Sequence, residues 1–163
     1  DLDVDIIKIA GSLNMRFRGC AVWGTKEIPP RDTEKITRRL RGELEHAVCQ
    51  GFTDFFVGGL SVFSRLAAEQ LLELRGQNYP VMLEMVLPYW EALPRLSAGE
   101  HEKWLAVLLA ADRVDIAYSM TEPLIPERLA QRMLYKSERC IVYGVPPVVG
   151  DFARYIGSEW IEL

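Results

Sequence analysis

Within this 163-residue chain, the stretch Gly58-Gly59-Leu60-Ser61 is the one best suited to hold a ligand. It follows the apolar run Phe55-Phe56-Val57 and precedes a helical pattern opening at Val62, so amides at a helix start are expected to face a strand's end. A glycine pair lets the main chain approach a bound group closely, and the unpaired N–H groups of a first helical turn favour an anion. Ser61 can contact a phosphate or cap the helix. Glu69, two turns further on, can accept a ribose hydroxyl or act as a base; it reads equally as a solvated helix glutamate.

Four more residues belong with this turn. Lys26 follows a strand and Arg128 opens a helix, which makes each a countercharge for phosphate or carboxylate, or simply a surface charge. Tyr89 and Trp90 offer aromatic faces for a planar base, or a hydrophobic plug or dimer contact. His46 and His101 have no Cys, Asp or His at ligand spacing, and His46 falls in the polar sector of its helix; neither takes a catalytic role. No metal site and no cofactor are expected.

The elements that must position these residues alternate along the chain. Strands are expected at Gly19 to Trp23, Thr53 to Val57, Val81 to Leu87, Val114 to Tyr118, Cys140 to Tyr143 and Trp160 to Leu163. Between them lie helices whose apolar residues share a face: Ile36, Leu40, Leu44, Ala47 and Val48; then Phe63, Leu66, Ala67, Leu71 and Leu74; then Trp104, Leu105, Leu108 and Leu109. A helix over Pro126 to Lys136 and one carrying Val149, Phe152, Ala153 and Ile156 complete the series. Strands separated by helices imply right-handed crossovers and a mainly parallel sheet covered on both faces, an α/β, Rossmann-like three-layer fold. Ligands in such sheets lie beyond the carboxyl ends of the strands, where the strand order reverses. The segments falling there are Gly24-Thr25-Lys26, Gly58 to Ser61, Pro88-Tyr89-Trp90, Ser119-Met120-Thr121 and Tyr143-Gly144.

Composition sets outer limits. With 49% hydrophobic and 26% charged residues, the chain is long enough for one well-buried core and too short for two ordinary domains. Leu2, Val4 and Ile6 alternate with Asp1, Asp3 and Asp5 before Gly11-Ser12 breaks the pattern. Residues 1–14 therefore read as an appendage, an added edge strand or a foreign segment, and residues 15–163 as the single domain. The net charge of −4 and the scattered basic residues argue against a nucleic-acid partner. Cys20, Cys49 and Cys140 form no C-x-x-C pair, and Cys20 and Cys140 lie in strand-like runs as small buried hydrophobes. No apolar stretch approaches a membrane span, and the expected location is the cytoplasm.

The order of segments resembles the YpsA-like proteins of the SLOG superfamily, relatives of LOG and lysine-decarboxylase-like proteins and of the DNA-processing protein DprA. The resemblance covers roughly Arg18 to Val142. Cys20-Ala21-Val22-Trp23-Gly24 is similar to the family's strand ending in Thr-Gly-His-Arg-Pro, with Trp23, Thr25, Lys26 and Glu27 replacing all but the glycine. Gly58 to Glu69 is similar to Gly-Gly-Ala-x-Gly-x-Asp-x-x-Ala-Ala-Glu. It keeps the glycine pair and Ala67-Ala68-Glu69, and has Val62 and Ser64 for the later glycine and the aspartate. Leu87-Pro88, Trp104, Leu108-Leu109 and Ala111-Asp112 are the best-preserved part. Near Arg128 the family's Arg-Asn pair leads to Met-Val-Asp, where this chain has Met133-Leu134 and Tyr135; its Gly-Gly-Thr is replaced near Pro146 to Val149. The resemblance implies a nucleotide or nucleotide-derived ligand. In the phosphoribohydrolase relatives that replaced turn holds the sugar phosphate, and two prolines followed by branched residues do not suit the task.

Three readings follow. The first is a domain that binds or senses a nucleotide-like small molecule, using Gly24, Thr25, Lys26, Gly58, Gly59, Ser61, Glu69, Tyr89, Trp90 and Arg128. The second is a nucleoside monophosphate hydrolase with Glu69 assisting a water. The third is a degenerate, non-catalytic interaction module, with a homodimer as one form of it. A single-strand DNA role of the DprA kind has the least support.

Overall fold

The computed structural model describes residues 18–88, 90–117 and 126–163. The appendage at residues 1–14 lies outside them, as do Tyr89, Tyr118 and Ser119-Met120-Thr121.

Six strands form one sheet: β1 (Arg18–Gly24), β2 (Phe52–Gly58), β3 (Met82–Leu87), β4 (Arg113–Ile116), β5 (Arg139–Tyr143) and β6 (Glu159–Glu162). Their order is β4-β3-β2-β1-β5-β6, and every pairing is parallel. The expected "mainly parallel" sheet is thus wholly parallel among the described residues. The carboxyl-terminal halves of β1, β2, β3 and β5 are apolar and buried on both faces, as strands covered on two sides must be.

Five helices cover the sheet: α1 (Thr33–Cys49), α2 (Val62–Gly76), α3 (Ala98–Ala110), α4 (Pro126–Leu134) and α5 (Pro147–Ile156). The first three share a core with Cys20, Val22, Phe55, Val57, Leu83 and Ile141; α4 and α5 share the opposite one with Ala21, Trp23, Phe56 and Val142. The three-layer α/β arrangement follows directly from that alternation.

One helix face departs from the expected one. Trp104 and Val107 carry the buried stripe of α3, whereas Leu105 is 41% and Leu109 87% exposed. The run Leu105-Ala106-Val107-Leu108-Leu109-Ala110 is apolar all round, so periodicity leaves its orientation open and packing of Trp104 decides it.

Cys20 and Cys140 are fully buried in opposite layers, and Cys49 is exposed at the end of α1. Burial raises both interior thiols: Cys20 far above the ordinary range, with Cys140 adding to the effect, and Cys140 to about 12 despite a hydrogen bond from Ser158. A disulfide thiol reagent is therefore expected to modify one cysteine quickly in the native protein and the other two only on unfolding. Two or three fast thiols would contradict this burial.

Candidate functional site

Strand order reverses between β1 and β5, since β2, β3 and β4 extend from one side of β1 while β5 and β6 extend from the other. The switch point therefore lies where Gly24-Thr25-Lys26 meets Tyr143-Gly144. Thr25 joins the two segments: its amide donates to the Tyr143 carbonyl at 3.2 Å, and its hydroxyl donates to the Gly144 carbonyl. Gly144 has φ +62°, and a β-carbon there would collide with the Lys26 side chain. A left-handed backbone and a close approach both call for glycine at this position.

An aromatic stack links the switch point to the first turn of α2. Lys26 Nζ stands 5.7 Å from the Tyr143 ring centroid, and that ring stacks on Phe63 with centroids 5.4 Å apart and planes 20° from parallel. A β-carbon on Gly24 would run into Phe63. Gly24 thus admits Phe63, Phe63 supports Tyr143, and Tyr143 lies beneath the ammonium group. These contacts bring Gly24, Thr25, Lys26 and the start of α2 together.

The glycine pair sits at the same edge, one strand away. Ser61 caps α2: its hydroxyl accepts from the Ser64 amide at 3.1 Å, a contact typically worth about 1 kcal/mol. Gly59 adopts φ +81° and donates its amide to the Val86 carbonyl at 2.9 Å. The close approaches at both glycines are made by the protein itself. A β-carbon on Gly58 would overlap the Met133 sulfur, and one on Gly59 would stand 3.2 Å from Trp23 Nε1. With Gly58 and Gly59 buried, the rim left accessible at this turn runs from Leu60 to Val62.

Glu69 is engaged elsewhere. Arg65, buried on α2, donates from Nη1 to Glu69 at 2.7 Å and from Nε and Nη2 to the two oxygens of Glu100 at 2.7 and 3.1 Å. Burial by itself would lower Arg65, but its hydrogen bonds to Glu100 and Glu69 reverse the shift and keep the guanidinium charged. The network fastens α2 to the start of α3, and it holds Glu69 as an ion-pair partner. Trp90 opens a 3₁₀ turn, Trp90–Arg95, just after β3. Arg128, in the first turn of α4, lines a groove of about 540 Å³ between α4 and α5 with Arg132 and Tyr155.

Met133 and Phe63 are the site residues that sequence reasoning missed, whereas Tyr143 lies in a segment it placed at the strand ends. Phe63 reads from its spacing only as a core position, and nothing in the order of residues announces that Met133, 75 positions beyond Gly58, fills its clearance. Among the described residues no group of three or more His, Cys, Asp or Glu side chains is placed to hold a metal, and no helix is long and apolar enough to cross a membrane. The chain matches no protein-family model, and no curated protein matches it.

Proposed function

We propose that the chain binds a nucleotide or nucleotide-derived small molecule at the carboxyl edge of the sheet, its anionic group seated beside Lys26 and the first turn of α2. The observation that carries this reading is the Lys26–Tyr143–Phe63 stack, in which an exposed cation lies over the Tyr143 ring at the switch point beside a helix N-terminus. Both features favour negative charge, and the crevice outside the strand ends is where open parallel sheets hold ligands. Gly58 and Gly59 serve in this account by letting Met133 and Trp23 pack beneath the rim, rather than by touching the ligand. Glu69, tied to Arg65, lends no support to hydrolysis, and the reading is of binding without a reaction.

Calorimetric titration with adenosine and guanosine monophosphates tests it. Saturable binding is expected with at least one, and Lys26→Ala should weaken it about tenfold or more, the loss of one charge-assisted contact of about 1.4 kcal/mol. Binding that ignores Lys26 would remove the proposed seat.

One observation favours the interaction-module reading instead. Met133 and Trp23 occupy the clearances at the glycine pair, while Leu105 and Leu109 stand exposed on α3. A self-associating chain whose dimer is broken by Leu109→Glu, with no nucleotide bound, would support that reading over the first.

A further inference from the structure

At the opposite end of the sheet, on the α4 face, the amino-terminal halves of β2, β3 and β4 floor a pit of about 190 Å³. Its charged lining is Asp54, Glu84 and Asp112 against Arg113 and Lys136, with Phe56 and Met82 supplying apolar surface. Register explains the grouping. Asp54 lies beside Met82, Phe56 beside Glu84, and Glu84 beside Arg113, so these side chains emerge on one face. Lys136, just beyond α4, reaches over the floor with Nζ 5.9 Å from the Phe56 ring centroid.

Three acids and two bases thus line one small cavity; Asp112 is taken by Arg75 at 3.0 Å and by the Leu83 amide at 2.8 Å, and among the described residues none of the other four forms an ion pair with another. Asp54 has only a long contact from Thr53 at 3.5 Å, and burial raises its carboxyl above the ordinary range against that contact. Strands in a covered sheet seldom carry such residues without partners, and each charge is held at the edge of an apolar floor where a ligand's countercharge would strengthen. With Asp112 neutralised by Arg75, the four remaining charges balance, so a group of one sign alone meets as much repulsion as attraction. A ligand carrying both signs meets both walls. The volume falls below the roughly 300–1,000 Å³ of drug-sized pockets, which restricts the occupant to a small molecule.

We infer that this pit binds a free α-amino acid with an apolar side chain, its ammonium toward Asp54 and Glu84, its carboxylate toward Lys136 and Arg113, and its side chain on Phe56 and Met82. The site is separate from the switch point and does not depend on it. Titration of the full chain with L-leucine, followed by amide NMR, tests the assignment. Saturable shifts are expected at residues 54–56 and 82–86. 3-Methylbutylamine and 4-methylpentanoate, each lacking one charged end, should bind at least about tenfold more weakly, as should Asp54→Asn and Lys136→Gln. Arg113→Gln, at an exposed position in the pit's lining, should weaken leucine binding likewise while leaving the core intact. Absence of saturation with leucine, equal binding of either analogue, or unchanged binding in folded variants would overturn the inference.

Discussion

Gly19→Ala should destabilise the protein by about 3 kcal/mol or more, at the upper end of overpacking effects. A β-carbon at this position in β1 would run into the main-chain oxygen of Lys136 and come within 3.1 Å of the Phe56 ring. A flexible side chain could turn aside; a peptide oxygen moves only with its backbone. That backbone is held in place, because the Glu138 amide donates to the Gly19 carbonyl at 2.8 Å and Arg18 pairs with Glu138 at 2.9 Å. Relief would therefore pull the connection between α4 and β5 away from β1. Urea denaturation measures the effect, and a loss below about 1 kcal/mol, the ordinary size for a point substitution, would show that the approach is looser than described.

Trp104→Ala is expected to cost about 3–5 kcal/mol, the range for deleting a buried aromatic side chain. Trp104 is fully buried on α3 within the core shared by Phe63, Leu71 and Leu83. Its indole nitrogen has no hydrogen-bond partner among the described residues, so the native state already bears a buried, unsatisfied donor. Trp104→Phe separates the two contributions. It leaves most of the ring packing and removes a donor whose burial costs about 1–3 kcal/mol, so its destabilisation should be much the smaller. Equal losses for alanine and phenylalanine in thermal and urea unfolding would contradict this.

The fold was legible because its signals are local. Alternation of apolar runs and helical faces located the six strands and five helices found among the described residues, and Ile36, Leu40, Leu44, Ala47 and Val48 fell on the buried side of α1 as their spacing implies. Leu105 and Leu109 mark where that logic fails, since an all-apolar segment has no contrast from which to read a face.

The site was legible only in part. Its glycines were visible as positions without side chains, and Ser61 as a cap, because both depend on near neighbours. What fills the clearances was not, since Met133 on Gly58 and Lys26 on Gly144 are contacts made by topology. Glu69 shows the same limit: its motif was recognisable, but its engagement with Arg65 depends on how α2 meets α3. Asp54 and Glu84 carry no signal in the sequence reading, because their opposition to Arg113 and Lys136 requires the register of three strands.

Native mass spectrometry of gently purified protein tests the central claim, small-anion recognition at the switch point, most directly. A non-covalent adduct of nucleotide-like mass is expected, absent from folded Lys26→Ala. A bare chain in every preparation, with no thermal shift across a broad nucleotide panel, would contradict it.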